Sequence, residues 1–385
     1  MTRRATPSAS LAPSTAPAPT PEALAPRISA ATARHLEGLS FLPGQDGPGA
    51  ELTRAASAAV RGGKRVRGYL VFLGWTLARG IAALPPGDED AADSPVDSLA
   101  AALELYQASA LVHDDIIDHA DMRRGRPTTR VALTAHHRRS GWAGSPAVFG
   151  DSGAILTGDL LLSAADHAVA EAGGGLPPEA AVAVLRRFTA MHAEVAVGQY
   201  LDLRAEQQPL DPADPASPTV EGALEVARLK SARYSVVHPA ALGILAGQGG
   251  SELVEAVEAV LGPWGLAFQL RDDDLGVFGD PRVTGKPAGD DLREGKRTAL
   301  LALAWSRATE AERRLLAEDL GRRDIGDAGI ARMAEILAVR GRGAHEALIA
   351  DLVEEGRRCL DAADPDPEQR SLLEGLGDLL VLRRL

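Results

Sequence analysis

From Arg27 onward, apolar residues recur at helical spacing through most of the chain. Between Arg27 and Arg61, Leu36, Leu39, Leu52 and Val60 mark helices broken at Pro43-Gly44-Gln45-Asp46-Gly47-Pro48. A glycine pair then opens a further helix at Arg61-Gly62-Gly63-Lys64-Arg65-Val66-Arg67, and an acidic loop from Pro85 to Pro95 leads to a long apolar run ending in Glu104–Pro127, ELYQASALVHDDIIDHADMRRGRP. Thr128 to Gly158 mixes glycines, prolines, Trp142 and His136-His137-Arg138-Arg139, and reads as a long connection or lid edge. Helices are expected from Gly158 to about Ala172, from Glu179 to Leu203, and from near Val220 to Leu245. Beyond Leu300 the pattern gives three or so amphipathic helices without site chemistry. No uninterrupted apolar run reaches the roughly 18 residues that a membrane span requires.

The first 26 residues break this pattern. Residues 1–26 form a Pro/Ala/Ser/Thr tract too poor in large apolar side chains to fold, and without the apolar core of a secretory signal. They read as a disordered leader to a single domain over residues 27–385. Aromatic content of 4% against 45% apolar residues favours helices packed on alanine and leucine. A formal charge of −12 speaks against nucleic-acid binding, so any polyanionic substrate must be held by local cations. The single cysteine, Cys359, fits a reducing cytoplasm and has no histidine nearby to activate it.

The chemistry concentrates at the end of the central run. Asp114 and Asp118, four apart, lie roughly 40° apart around a helix axis and about 6 Å apart along it, with Asp115 beside them. Carboxylates held this close repel unless cations intervene, and hard oxygen ligands suit magnesium. Arg123 and Arg124 follow, and guanidinium forks beside bound magnesium describe a diphosphate site. A solvated acidic helix end is the alternative, and the apolar Ala108, Ala110, Leu111 and Val112 argue against it. Lys64 and Arg67, three apart at a helix start, form a second anion site, because cations there oppose the macrodipole. The neighbouring His136 and His137 lack partners at ligand spacing and read as surface residues.

Lys230 stands in an otherwise apolar helix and calls for an anion. A second acidic stretch, Phe268–Asp280, carries Gln269 and Asp272 on one face. Asp274 is rotated roughly 200° from Asp272 and leaves that face. A glycine-rich loop from Thr284 to Asp291 and the run Glu294–Thr298 supply Lys286 and Lys296. Two acid clusters, each trailed by basic residues, are a repetition that unrelated surface patches rarely produce.

Together GGKRVRG, HDDIIDHADMRRGRPT, GQYLDL, LKSARY, FQLRDDDLG and TGKPAGDDLREGKRT resemble, in order, the motifs of the trans-isoprenyl diphosphate synthases, the polyprenyl synthetase family, over about Arg61 to Thr298. The resemblance implies an all-α single bundle around a deep central cavity, a homodimer, and three magnesium ions per site. It implies that Asp114, Asp115 and Asp118 bind two ions and Asp272 the third, with Asp273 nearby. Arg123, Lys230, Lys286 and Lys296 would hold an allylic diphosphate, while Lys64, Arg67, Arg124 and Gln107 would hold isopentenyl diphosphate. Ser231 and Gln269 would turn their dipoles toward a carbocation. The family's second motif often ends in a third aspartate, where this chain has Gly276.

Product length is expected from the helix beneath Asp114. Tyr106 lies about 12 Å below it, and Ser109 and Ala110 are too small to stop a short chain, so geranylgeranyl diphosphate is favoured over farnesyl diphosphate. A class I terpene cyclase would need a different second acid motif and no isopentenyl site. A non-catalytic subunit of a heteromeric synthase would be expected to lack the intact DDIID.

Overall fold

The computed structural model describes residues 19–41, 47, 49–85, 94–280 and 289–381. The expected all-α fold is observed: the helices are α1 (Pro21–Glu37), α2 (Gly49–Ala59), α3 (Val66–Arg79), α4 (Pro95–Ile117), α5 (Thr129–Ser140), α6 (Pro146–Gly174) and α7 (Pro178–Gln207). They continue with α8 (Val220–Ala227), α9 (His238–Ala246), α10 (Ser251–Phe278), α11 (Asp290–Glu294) and α12 (Ala299–Arg307). The chain closes with α13 (Glu310–Asp319), α14 (Asp327–Leu337), α15 (Gly343–Ala363) and α16 (Pro367–Val381). A ten-residue π-helical segment, Arg228–Val237, joins α8 to α9.

Helix α4 is the axis of the bundle. Pro95 occupies its first turn, where no backbone donor is missed, and Ser94 and Asp97 form a reciprocal capping box. Asp97 also receives Arg27 of α1 at 2.6 Å, which ties the two helices. Leu99, Leu103 and Leu105 are fully buried among Phe72 of α3, Leu161 of α6, Phe188 and Met191 of α7, and Leu242 of α9. Each such leucine contributes about 2 kcal/mol of transfer free energy, so the mouth-bearing end of α4 rests on a rigid stem. A smaller core under Trp305, Leu316 and Met333 joins the C-terminal helices to Val277, near the end of α10.

Several expectations need correction. Helix α1 begins at Pro21 and buries Leu24, because Thr20 caps it and Pro21 tolerates the first turn, so the leader drawn to residue 26 overruns the helix. Residues 1–18 lie outside the described residues. The stretch Thr128–Gly158 is largely helical rather than a connection: Ser145 caps α6 at Val148 and Pro146 opens it. His137 is not a surface residue. It is buried against Trp142 and Phe149, while His136 Nε2 lies 3.2 Å from Glu51.

After Leu300 there are five helices among the described residues, and their loops do reach the site. Helices α6 and α10 are long and apolar enough, at mean hydropathy 1.2, to cross a membrane by length and composition. The interrupted sequence pattern hid this. Both helices are built into the bundle, α6 on α4 and α5, and α10 on α15.

Candidate active site

The C-terminal turn of α4 carries Asp114 and Asp115 and ends at Asp118, its cap residue. A two-residue hairpin follows, Met122–Arg123 paired with Arg126–Pro127, whose turn places Arg124 and Gly125 at φ 51° and 70°. The hairpin folds Arg123 back onto the helix. Its Nε donates to Asp115 at 2.6 Å and its Nη2 to Asp114 at 3.3 Å. Burial opposes the charge on Arg123, but Asp115 and Asp114 outweigh it, so the guanidinium is held above its usual range.

The π-helical segment brings Lys230, Ser231 and Tyr234 onto the opposite wall. It packs on α7 so closely that a Cβ on Gly198 would lie 2.3 Å from the backbone nitrogen of Lys230, so only glycine fits there. Lys230 Nζ stands 2.6 Å from Asp202 and 3.4 Å from Asp114. The anion that a buried lysine requires is thus partly supplied by the protein. Lys296 Nζ reaches Asp118 and Glu206 at 2.8 Å each and Asp202 at 3.3 Å. Burial works against the Lys296 ammonium, and the Asp202, Asp118 and Glu206 charges reverse that, raising its pKa far above the ordinary lysine value. Burial also opposes Asp202, yet Lys230 and Lys296 hold its pKa down, whereas burial pushes Glu206 up.

On α10, Gln269 donates to Asp273 at 2.8 Å, and both line the cavity with Asp272. Burial, and then the Asp291 charge, push the Asp273 carboxyl well above the usual range. Asp274 does leave the site: it is buried and paired twice with Arg342 of the π-helical segment Ala338–Arg342, at 3.0 Å.

Arg67 lies 4.3 Å over the Tyr234 ring and donates to Ser235 at 2.6 Å. Burial lowers the pKa of Arg124, and Arg123, Arg65 and Arg67 add to this against the help of Glu104. Such crowding of cations prepares an anion site. Lys64 is exposed at the rim and precedes its helix, which starts at Val66, so the helix-face argument for Lys64 and Arg67 does not hold although both line the cavity. Gln107 lines it as well.

All of these groups border one cavity of about 1230 Å³. Ala110 lies on its wall. Tyr106 sits beneath, buried, stacked on His192 at 4.2 Å and edge-on to Tyr234 and Phe188 at 5.5 and 6.1 Å. Burial drops the His192 pKa to about 4, so the ring stays neutral. Ser109 was expected just below the metals on the cavity wall. Its hydroxyl instead donates to the Gly158 carbonyl at 2.8 Å, in the seam between α4 and α6. Lys286 lies outside the described residues.

Sequence reasoning gave no role to Asp202, Glu206, Asp291, Glu294, His192 or Arg323. GQYLDL and the DD before Leu292 signalled two of them. Arg323, whose guanidinium donates to the Asp118 carbonyl and to that of His119, had no local signal.

The donor set suits a hard cation, being carboxylates of Asp114, Asp115, Asp118, Asp272, Asp273 and Asp291 on one cavity. Among the described residues no three of them converge tightly enough to cage an ion as they stand, since lysines and arginines occupy several. That geometry fits a metal arriving with a polyanion that draws the cations toward itself.

An all-α bundle around one cavity that is lined by acids and rimmed by cations defines the isoprenoid-synthase class of helical enzymes. The polyprenyl synthetase family model matches residues 50–337, and the chain belongs to that family. It is a trans-prenyl diphosphate synthase. The chain is 33% identical to a geranylfarnesyl diphosphate synthase of Aeropyrum pernix, over 84% of this chain and 91% of that one. It is 31% identical to a geranylgeranyl diphosphate synthase of Mycobacterium tuberculosis, over 85% and 82%. A geranylgeranyl pyrophosphate synthase structure from Corynebacterium glutamicum, complexed with isoprenyl diphosphate and magnesium, superposes with TM-score 0.81 at 36% identity, covering 94% and 98% of the two chains.

Proposed function

We propose that this enzyme condenses an allylic diphosphate with isopentenyl diphosphate in the presence of magnesium and releases geranylgeranyl diphosphate. The observation that carries the reading is the meeting, on one cavity, of Asp114, Asp115 and Asp118 from α4 with Asp272 and Asp273 from α10, beside Arg123, Lys230 and Lys296. The magnesium in the Corynebacterium structure supports hard-cation chemistry here.

Magnesium, if held there, would supply neutralisation of the charge that develops on the departing diphosphate when the allylic carbon–oxygen bond ionises. Asp114, Asp115, Asp118, Asp272 and Asp273 would hold the ions, three by the family pattern. Arg123, Lys230 and Lys296, with Lys286 beyond the described residues, bind the allylic diphosphate oxygens. Lys64, Arg67, Arg124 and Gln107 hold isopentenyl diphosphate so that its double bond faces the new cation. The Ser231 and Gln269 dipoles stabilise that cation, and the proton lost at the end passes to the departed diphosphate.

The relatives' names run from farnesyl to nonaprenyl products, so product length rests on the floor. Tyr106 beneath Ala110 supports a product of four isoprene units. Exposed Ile155 and Leu156 on α6, with Leu185, Val197 and Tyr200 on α7, support a homodimer through that apolar face. A single half-buried cysteine supports a cytoplasmic setting, and the continuous core from Leu24 to Leu380 supports one catalytic unit.

Purified protein with magnesium, farnesyl diphosphate and labelled isopentenyl diphosphate tests the reading. A labelled twenty-carbon diphosphate is expected. A hydrocarbon formed without isopentenyl diphosphate, or no product at all, would overturn it.

A further inference from the structure

Arg233, near the end of the π-helical segment, and His238, the first residue of α9, are five positions apart. In an α-helix that spacing puts two side chains about 140° apart around the axis. Here both meet one carboxylate. Glu194 of α7 accepts from Arg233 Nε at 2.7 Å and Nη2 at 3.2 Å, and its Oε2 lies 2.8 Å from His238 Nε2. The backbone shows why this is possible. The His238 N–H donates to the Arg233 carbonyl, and this bond across five residues widens the turn and returns the two side chains to one side. Burial, and then the Arg187 charge, bring the His238 pKa down to about 4, so the ring is neutral and gives its N–H to Glu194. Burial opposes the charge on Glu194, but Arg233 and His238 hold its pKa below the usual range.

Proline accounts for only part of this geometry. Pro239, the second residue of α9, has no N–H for the Ser235 carbonyl and its ring would clash there, so a regular α-helix cannot run through this point. That demands a break without choosing its register. Helix α7 grips the segment at two places four residues apart on one face. Gly198 receives the start, since a Cβ there would lie 2.3 Å from the Lys230 nitrogen and 2.7 Å from the Leu229 carbonyl carbon. Glu194 holds the end. Between the two grips lie Lys230, paired with Asp202 and Asp114, and Tyr234, edge-on to Tyr106 at 5.5 Å and beneath Arg67 at 4.3 Å. A change of register would turn Lys230 and Tyr234 together.

We infer that Glu194 is a positioning residue: by gathering Arg233 and His238 it fixes the π register of the segment, and so sets the diphosphate-binding lysine and the ring beside Tyr106 at the same time. The inference rests on the prenyl-elongation reading above. A second ion pair, Arg187 of α7 with Glu258 of α10, ties a different pair of elements and supplies a control.

Glu194→Leu removes the bonds to both partners, whereas Glu194→Gln keeps the shape and an acceptor and loses the charge. Initial rates with magnesium, farnesyl diphosphate and labelled isopentenyl diphosphate report on Lys230, and chromatography of the products reports on Tyr234. Glu194→Leu is expected to lower kcat/KM for farnesyl diphosphate about 10- to 100-fold, the cost of a displacement on the order of 1 Å, and to replace one main product by several chain lengths. Glu194→Gln is expected to shift both readouts the same way by less, and carries the test if circular dichroism shows Glu194→Leu unfolded. Glu258→Gln is expected to lower Tm while keeping the wild-type product. Wild-type kcat/KM and products in every folded Glu194 variant would overturn the inference and leave the elongation reading standing. The same change of products in Glu258→Gln would overturn it too, because general loosening would then account for the effect. If the wild-type protein elongates nothing, the underlying reading fails and the inference falls with it.

Discussion

Lys296 Nζ lies 2.8 Å from Asp118, joining the turn after α11 to the end of α4 across the mouth of the cavity. The same ammonium touches Glu206 and Asp202 on α7, so one cation holds three carboxylates from two helices. Lys296→Met is expected to leave those acids uncompensated and to lower the stability of the metal-free protein by about 3 kcal/mol.

The pH dependence of that loss follows from the two partners. Lys296 has a raised folded pKa, so its contribution is complete below about 10.4, the unfolded value, and fades only as pH rises through the higher folded value. Asp202 has a lowered folded pKa, so its contribution is present above about 3.9 and fades as pH falls through the folded value. The gap in Tm between wild type and Lys296→Met should be widest near neutrality and close in acid. A gap independent of pH would contradict this account.

Asp272 and Asp274 are two residues apart and have opposite tasks. Asp272 lines the cavity, whereas Asp274 is locked to Arg342 on the far side of α10. Asp272→Ala should cut turnover on the order of 100-fold or more with little change in Tm. Asp274→Ala should retain turnover at low temperature and lose about 2 kcal/mol of stability, since Arg342 loses its partner. Calorimetry and initial rates on both proteins separate the roles, and equal losses of turnover would sink the assignment.

Asp273 gives a prediction of unusual sign. Its folded pKa is raised by burial and by Asp291, so the native state keeps a proton that the unfolded chain has released. Its stabilising contribution is full below about pH 3.9 and is lost as pH rises through the folded value. Asp273→Asn should remove that part of the slope. Tm measured from pH 4 to 7 in the absence of metal should therefore fall less with pH, relative to wild type, in the variant.

What the chain disclosed in advance follows how its contacts are distributed. Asp114, Asp115, Asp118 and Arg123 were legible because a helix end and a hairpin bring together residues that are near neighbours in sequence. The start of α6 was missed because Pro146 and Gly150 resemble loop residues, although one opens the helix and the other lets α5 pack closely. Arg323 was invisible because its contact with the end of α4 joins residues distant in sequence and leaves no periodic trace. Ser109 misled for a different reason. Spacing puts a residue near a face, but α6 packs on that side, and the hydroxyl satisfies the Gly158 carbonyl.

The last prediction concerns the floor, where the packing changes what Ser109 can report. Tyr106 is stacked on His192 and meets Phe188 edge to face, so a product growing past Ala110 would have to displace two rings. Tyr106→Ala should lengthen the product, and adding His192→Ala should lengthen it further by removing the second ring. Ala110→Phe fills the cavity wall itself and should shorten the product. Ser109→Phe, facing α6, should instead overpack the seam and cost about 1 to 3 kcal/mol with no gain in chain-length control. Chromatography of products from all four proteins, with Tm for each, decides the matter. Shorter products from a stable Ser109→Phe would place that side chain in the cavity after all, and an unchanged product from Tyr106→Ala and the double variant would remove the floor from α4.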